Sequence, residues 1–183
     1  GLDSRVPKKP FSVTLALTDK LDTLVGFFGI NQKPTSSKDP YALRRSALGI
    51  IRLLLENKKE FKISDLINYS ISLYKDQGFK FKNDNVQKEL SLFLIDRLKF
   101  YMKEKDIRHD IIEASINSFS IDHISKMYNK ALALNKVIIK DVGNDIIVSY
   151  KRASNILENE LKNKELDLSN TTDPAIFKND YEK

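Results

Sequence analysis

Apolar residues recur along this chain at helical spacing, three or four apart, in most of its length. From Ser12, a plausible cap after Pro7 and Pro10, Leu15, Leu17, Leu21, Leu24, Val25 and Phe28 predict a first helix. Gly26 and Gly29 crowd its end, and a polar loop with Pro34 follows. Asp39-Pro40 reads as a second helix start, an acidic cap followed by proline at the first helical position. Leu43, Ala47, Ile50, Ile51 and Leu54 fall on one face of it, with Arg45 and Arg52 opposite. Ser64-Asp65 opens a third helix carrying Leu66, Ile67, Ile71 and Tyr74, which closes near Gly78. A fourth, from about Asn85 to Lys103, is apolar nearly all round at Leu90–Ile95 and belongs in the middle of a bundle.

A short helix follows between Asp106 and Phe119, and Asp122 begins another with Ile124, Met127, Ala131 and Leu134 inward. Beyond it the pattern is ambiguous. Val137–Ile139 and Ile146–Val148 flank a turn-like stretch and could pair as a hairpin. A helix break at Gly143 and a last helix from Asp145 fit better, because Ile146, Tyr150, Ala153, Leu157 and Leu161 keep helical spacing. The expected class is all-α, a helical bundle in two blocks. The boundary is placed in the Phe79–Asp84 connector, so that the blocks cover residues 1–82 and 83–183.

Composition narrows the chemistry. At 183 residues with 41% hydrophobic and 31% charged, the balance is globular, and no apolar run approaches the ~20 residues of a membrane span. The absence of cysteine removes thiolate metal sites and thiol nucleophiles, and suits a reducing cytoplasm. Two histidines, His109 and His123, are too few for a His-rich metal site. Gly1 in place of an initiating Met suggests a piece of something larger.

The net charge of +6 is unevenly spread. Residues 165–183 form an acidic tail, five acids against two lysines, while 40–62 hold six cations against two acids. Such clustering suits a polyanion, since each neutralised phosphate releases counterions. The plainer explanation is a solvated, lysine-rich surface.

Catalytic patterns are missing. Two glycines do not make a phosphate loop, and neither histidine sits near a nucleophile elbow. Asp19 and Asp22 share a helix flank but read as solvated acids. His109-Asp110 echoes a metal phosphohydrolase doublet, yet no histidine precedes it, and a helix-start pair is the better reading. Lys151, Arg152 and Asn155 project away from the Tyr150/Ala153/Leu157 stripe, suited to phosphates and to a base edge, or simply to an outer face.

Several segments together resemble one family. Thr18–Phe28 (TDKLDTLVGFF) and Lys33–Ile50 (KPTSSKDPYALRRSALGI) are similar to the corresponding helix, loop and helix of bacterial glycyl-tRNA synthetase β subunits. Ser36 stands where the family usually has glycine. Phe93–Leu98 (FLIDRL), Arg108–Asp110 (RHD) and Thr172–Phe177 (TDPAIF) resemble further family motifs in the same order. Lys151–Leu157 (KRASNIL) resembles the core motif of DALR-type anticodon-binding domains.

The resemblance implies that residues 1–82 are the end of an HD-like helical domain and that 83–183 begin an incomplete anticodon-binding domain. It implies a tRNA-holding role without catalytic or metal-binding residues. Glycine activation with ATP and Mg²⁺ would belong to a separate α subunit, and the segment itself would bind no cofactor. Implied partners are glycine tRNA and the α subunit, in an assembly of two α and two β subunits, with no membrane. The expected tRNA contacts are Arg44, Arg45, Arg52, Lys151 and Arg152 to phosphates, and Asn155 or an aromatic group to bases. The rival expectation is a structural module that docks the α subunit or other domains without touching RNA. A metal-phosphohydrolase remnant lacks its histidines, and an arginyl-type DALR synthetase lacks the Lys33–Ile50 stretch.

Overall fold

The computed structural model describes residues 5–118, 122–138 and 141–163. Among these, the periodic segments all become helices and no strand forms: α1 (Pro10–Gly29), α2 (Leu43–Glu56), α3 (Ile63–Asp76), α4 (Val86–Lys103), α5 (His109–Ile116), α6 (Ile124–Ile138) and α7 (Asp141–Asn163). The all-α class expected from spacing is what is found. The chain divides into two compact units, residues 1–136 and 137–183.

In the first unit, α1 to α4 run up, down, up and down. The α1–α2 pair is antiparallel: Lys8 Nζ donates to the Glu56 carbonyl at 2.8 Å at one end, and Phe27 stacks on Tyr41 at 4.1 Å at the other. Tyr74 near the end of α3 packs on Gly26 near the end of α1, so these two helices are parallel. The start of α4 lies beside the end of α1, where Asn83, Phe93 and Glu89 gather near Phe28. The core is aliphatic, with Leu24, Ile50, Ile67, Leu90, Leu94 and Leu98 all under 1% exposed. α4 touches α1, α2 and α3, which fits its near-continuous apolar sequence, although Leu92 still faces solvent.

Helix starts differ from the sequence reading. α1 begins at Pro10, two residues before Ser12, because proline's fixed φ suits the first helical turn. α2 begins at Leu43, not after Asp39. The Asp39 carboxylate still caps it, accepting from the Leu43 amide at 2.8 Å and the Arg44 amide at 3.0 Å across an intervening turn. That turn passes through Ala42, held at φ 54° in the left-handed region. α3 starts at Ile63, and its cap comes from far along the chain: Asp122 Oδ1 accepts from the Ser64 amide at 3.0 Å. Beside it, Ser125 Oγ donates to the Lys59 carbonyl at 3.0 Å.

An inward face and a helix break also differ from the sequence reading. Leu15 is 60% exposed, since the buried stripe of α1 runs Val13, Leu17, Leu21, Leu24, Val25 and Phe28, and Leu15 lies off that line. In the second unit, the break expected at Gly143 is not there. α7 already runs through Gly143, and residues 139–140 lie outside the described residues. Gly143 serves a close approach instead: a Cβ there would sit 2.3 Å from the Val137 carbonyl oxygen.

Candidate nucleic-acid interface

The basic side chains of α2 are not equivalent. Arg44 is partly buried and its Nη2 donates to the Thr35 carbonyl, so it pins the loop that leads into α2. Loop 31–42 is further fixed by Asp39 and by a 2.9 Å bond from the Thr35 amide to the Lys38 carbonyl. Arg52 is 12% exposed at its side chain, and its Nε donates to Glu56 Oε1 at 3.0 Å, one helical turn on. Arg45 is exposed, and among the described residues it makes no ion pair or hydrogen bond through its side chain. Arg44 thus meets a backbone carbonyl and not an acid.

On α7, Lys151, Arg152 and Asn155 all face solvent, and Lys151 and Asn155 share one helical face four residues apart. The stripe expected to bury itself beside them does not. Tyr150 is 72% exposed, Leu157 45%, and Ala153 faces solvent too. Periodicity correctly marks a face that wants cover, but a sequence pattern cannot supply the element that covers it. The α2 and α7 cations belong to different compact units.

The discarded catalytic candidates take structural places. Asp19 is exposed beside Lys20, at 3.6 Å. Asp22 is exposed as well, and its backbone carbonyl accepts the Tyr74 hydroxyl at 3.0 Å. The Asp110 carboxylate accepts from Arg108 Nη2 at 2.6 Å and from the Ile111 amide at 2.9 Å, at the start of α5. Burial pushes that carboxyl up, but these hydrogen bonds outweigh it and hold it below its ordinary value. This is the helix-start pair the sequence favoured. Among the described residues no group of His, Asp and Glu is placed to hold a metal ion. Asp96 and Arg97 pair with one another on the outer side of α4, and Arg97 also lies over the Phe93 and Phe100 rings.

Sequence reasoning missed the contacts that position these helices. Asn83, buried in the α3–α4 connector, donates to the Phe28 carbonyl at 3.2 Å and to Glu89 Oε2 at 2.7 Å, and its own Oδ1 accepts from the Asn85 amide at 2.9 Å. Glu89 is also paired with Lys33 at 2.5 Å. Hydrogen bonds from Lys33 and then Asn83 hold the Glu89 carboxyl below its ordinary range. An Asn next to Asp in a polar connector gives no sequence signal that it will be buried.

Comparison with known proteins gives one family. The family described as "Glycyl-tRNA synthetase beta subunit" matches residues 1–117. The "Glycine--tRNA ligase beta subunit" of Cereibacter sphaeroides is 37% identical over 183 residues, all of this chain and 26% of that protein. The protein of the same name from Paracoccus denitrificans is 38% identical over 183 residues, again all of this chain and 25% of its own length. That of Rhodospirillum centenum is 40% identical over 163 residues, 88% of this chain and 22% of its own. The chain therefore spans about a quarter of the length of the relatives it matches. With the family matched over well over half of the chain and relatives aligned along all of it, the chain belongs to the glycyl-tRNA synthetase beta subunit family.

Proposed function

We propose that this segment holds tRNA on behalf of a glycine–tRNA ligase, an aminoacyl-tRNA synthetase, and does no chemistry of its own. The observation that supports the reading is a set of exposed, uncommitted cations on helices: Arg45 on α2, and Lys151 and Arg152 on α7, each without an ion-pair partner among the described residues. Phosphates need such groups, and a paired cation must first be released. Arg44 and Arg52 would reach phosphates from the loop and the helix that they hold. Asn155 would meet a base edge, and the exposed Tyr150 ring beside Lys151 would stack on a base.

In this reading residues 1–82 close an HD-like helical domain and 83–183 open an anticodon-binding one. Glycine, ATP and Mg²⁺ are handled by an α subunit, and the assembly works in the cytoplasm. None of the helices among the described residues is long and apolar enough to cross a membrane. The deciding experiment is a titration with glycine tRNA and with an unrelated tRNA at low and near-physiological salt. Tighter binding to glycine tRNA, weakening with salt, supports the proposal; no binding at low salt overturns it.

A second reading, a docking module that leaves RNA alone, has one observation in its favour. The apolar stripe of α7, with Ile146, Tyr150, Leu157 and Leu161, is 45–72% exposed and wants a protein surface. Equal, weak binding of both tRNAs, unchanged by Lys151→Ala, would select it.

A further inference from the structure

α1 and α3 lie side by side, and a gap opens between them from their starts to about Asp22 and Leu73. Between them runs a groove of about 470 Å³, lined by Leu17 and Leu21 of α1 and Leu66 of α3. Its rim is also apolar and stays in solvent: Phe61 is 47% exposed, Tyr69 67% and Leu73 42%. An isolated exposed apolar residue is ordinary; a continuous lined channel with an apolar rim marks a seat for another element.

The groove is electrically polar along its length. α1 and α3 are parallel, so the positive ends of both helix dipoles point to the same end. That end carries Lys8 and Lys59, and each helix is started by a further exposed lysine, Lys9 and Lys62. Glu56 engages Lys8 at 3.7 Å, which leaves Lys59 with no acid partner among the described residues. The lining toward the other end includes Asp22. An occupant that matches this field is a helix lying antiparallel to α1 and α3, with its negative C-terminal end and acidic side chains at Lys59 and its positive N-terminal end toward Asp22.

We propose that this groove seats an amphipathic helix, acidic at its C-terminal end, from the part of the full-length subunit that lies outside these 183 residues. The relatives carry about three-quarters of their length outside the matched stretch. A segment tethered in the same chain meets the groove at a high effective concentration, which no separate partner matches. The proposal is independent of whether the segment binds tRNA.

The test uses the full-length subunit with a photoreactive phenylalanine analogue at Phe61 or at Leu73, both exposed and so tolerant of the change. After irradiation, crosslinked peptides are mapped by mass spectrometry. Both positions should capture one segment of the same chain outside these residues. The Phe61 partner should lie roughly 10 residues C-terminal to the Leu73 partner, because Phe61 sits just before the start of α3 at Ile63 and Leu73 lies about ten helical residues beyond that start. Lys59→Glu should lower the Phe61 yield several-fold, while a probe at Leu92 on α4 captures nothing from that segment. Capture of another polypeptide or of RNA, a reversed order of the two partners, an unchanged yield in Lys59→Glu, or no capture at all overturns the proposal.

Discussion

Gly26 is a residue whose role is decided by distance. A Cβ there would stand 2.5 Å from the Tyr74 hydroxyl, which donates to the Asp22 carbonyl. Tyr74 also belongs to a ring cluster with Phe79 and Phe81, and Phe81 in turn fills the space a Cβ at Gly29 would need. Gly26→Ala should therefore destabilise the protein by about 1–3 kcal/mol through overpacking, read in urea melts, and Tyr74→Phe should recover part of the loss by vacating the contact. Tyr74 also makes a pH prediction. Burial, with Asp22 nearby, pushes its phenol from 10.0 up to about 12. The folded state thus holds that proton more tightly than the unfolded chain. The contribution is intact below pH 10.0 and is lost as pH rises toward about 12. A phenolate absorbance titration should show Tyr74 ionising late together with Tyr101 and Tyr128, which burial also raises, and Tyr74→Phe should shrink that late step by one phenol. The sequence places Tyr74 on the third helix, but nothing in it announces what the phenol meets, because its partner Gly26 is 48 positions away.

Helices were legible where one face decides them. The apolar stripes of α2 and α4 appear in the sequence almost as they are buried, and the Asp39 cap was visible although its helix starts four residues later. The cap survives the shift because a carboxylate reaches two amides across a tight turn. Asp39→Ala should cost about 1 kcal/mol and fray the start of α2, seen as faster hydrogen exchange at Leu43 and Arg44. What the sequence could not show are the fastenings between elements, since they join residues distant in the chain. The Lys33–Glu89 pair with Asn83 is such a case. Its depressed carboxyl stabilises the fold above the unfolded-state value, and that support is lost as pH falls through the folded one. Glu89→Gln should flatten the acid limb of stability against pH. Both charges are about a third exposed, so the effect should shrink in high salt.

For the whole molecule, the cations of the proposed interface separate into two kinds by what each already holds. Arg45→Ala should leave the melting temperature unchanged, weaken tRNA binding several-fold and reduce the salt slope by about 1. Arg52→Ala should instead lower stability, since the guanidinium of this largely buried side chain is engaged by Glu56. Its effect on binding would combine the weakened fold with the lost phosphate contact. The candidate site was legible as residue types and helix positions, but their division into engaged and uncommitted groups required the loop carbonyl of Thr35 and the carboxylate of Glu56. The α7 stripe was misjudged for the opposite reason, since its pattern is sound and its cover is not among the described residues. One fastening also sets an order in time. The first turn of α3 takes its cap from Asp122, and Ser125 closes the neighbouring Lys59 carbonyl, 58 and 66 positions further along the chain. While the chain leaves the ribosome, α1 to α4 can assemble before either residue has emerged from it. The amide of Ser64 stays open to water until they arrive, so the arrival of α6 acts as a late latch on a bundle already built.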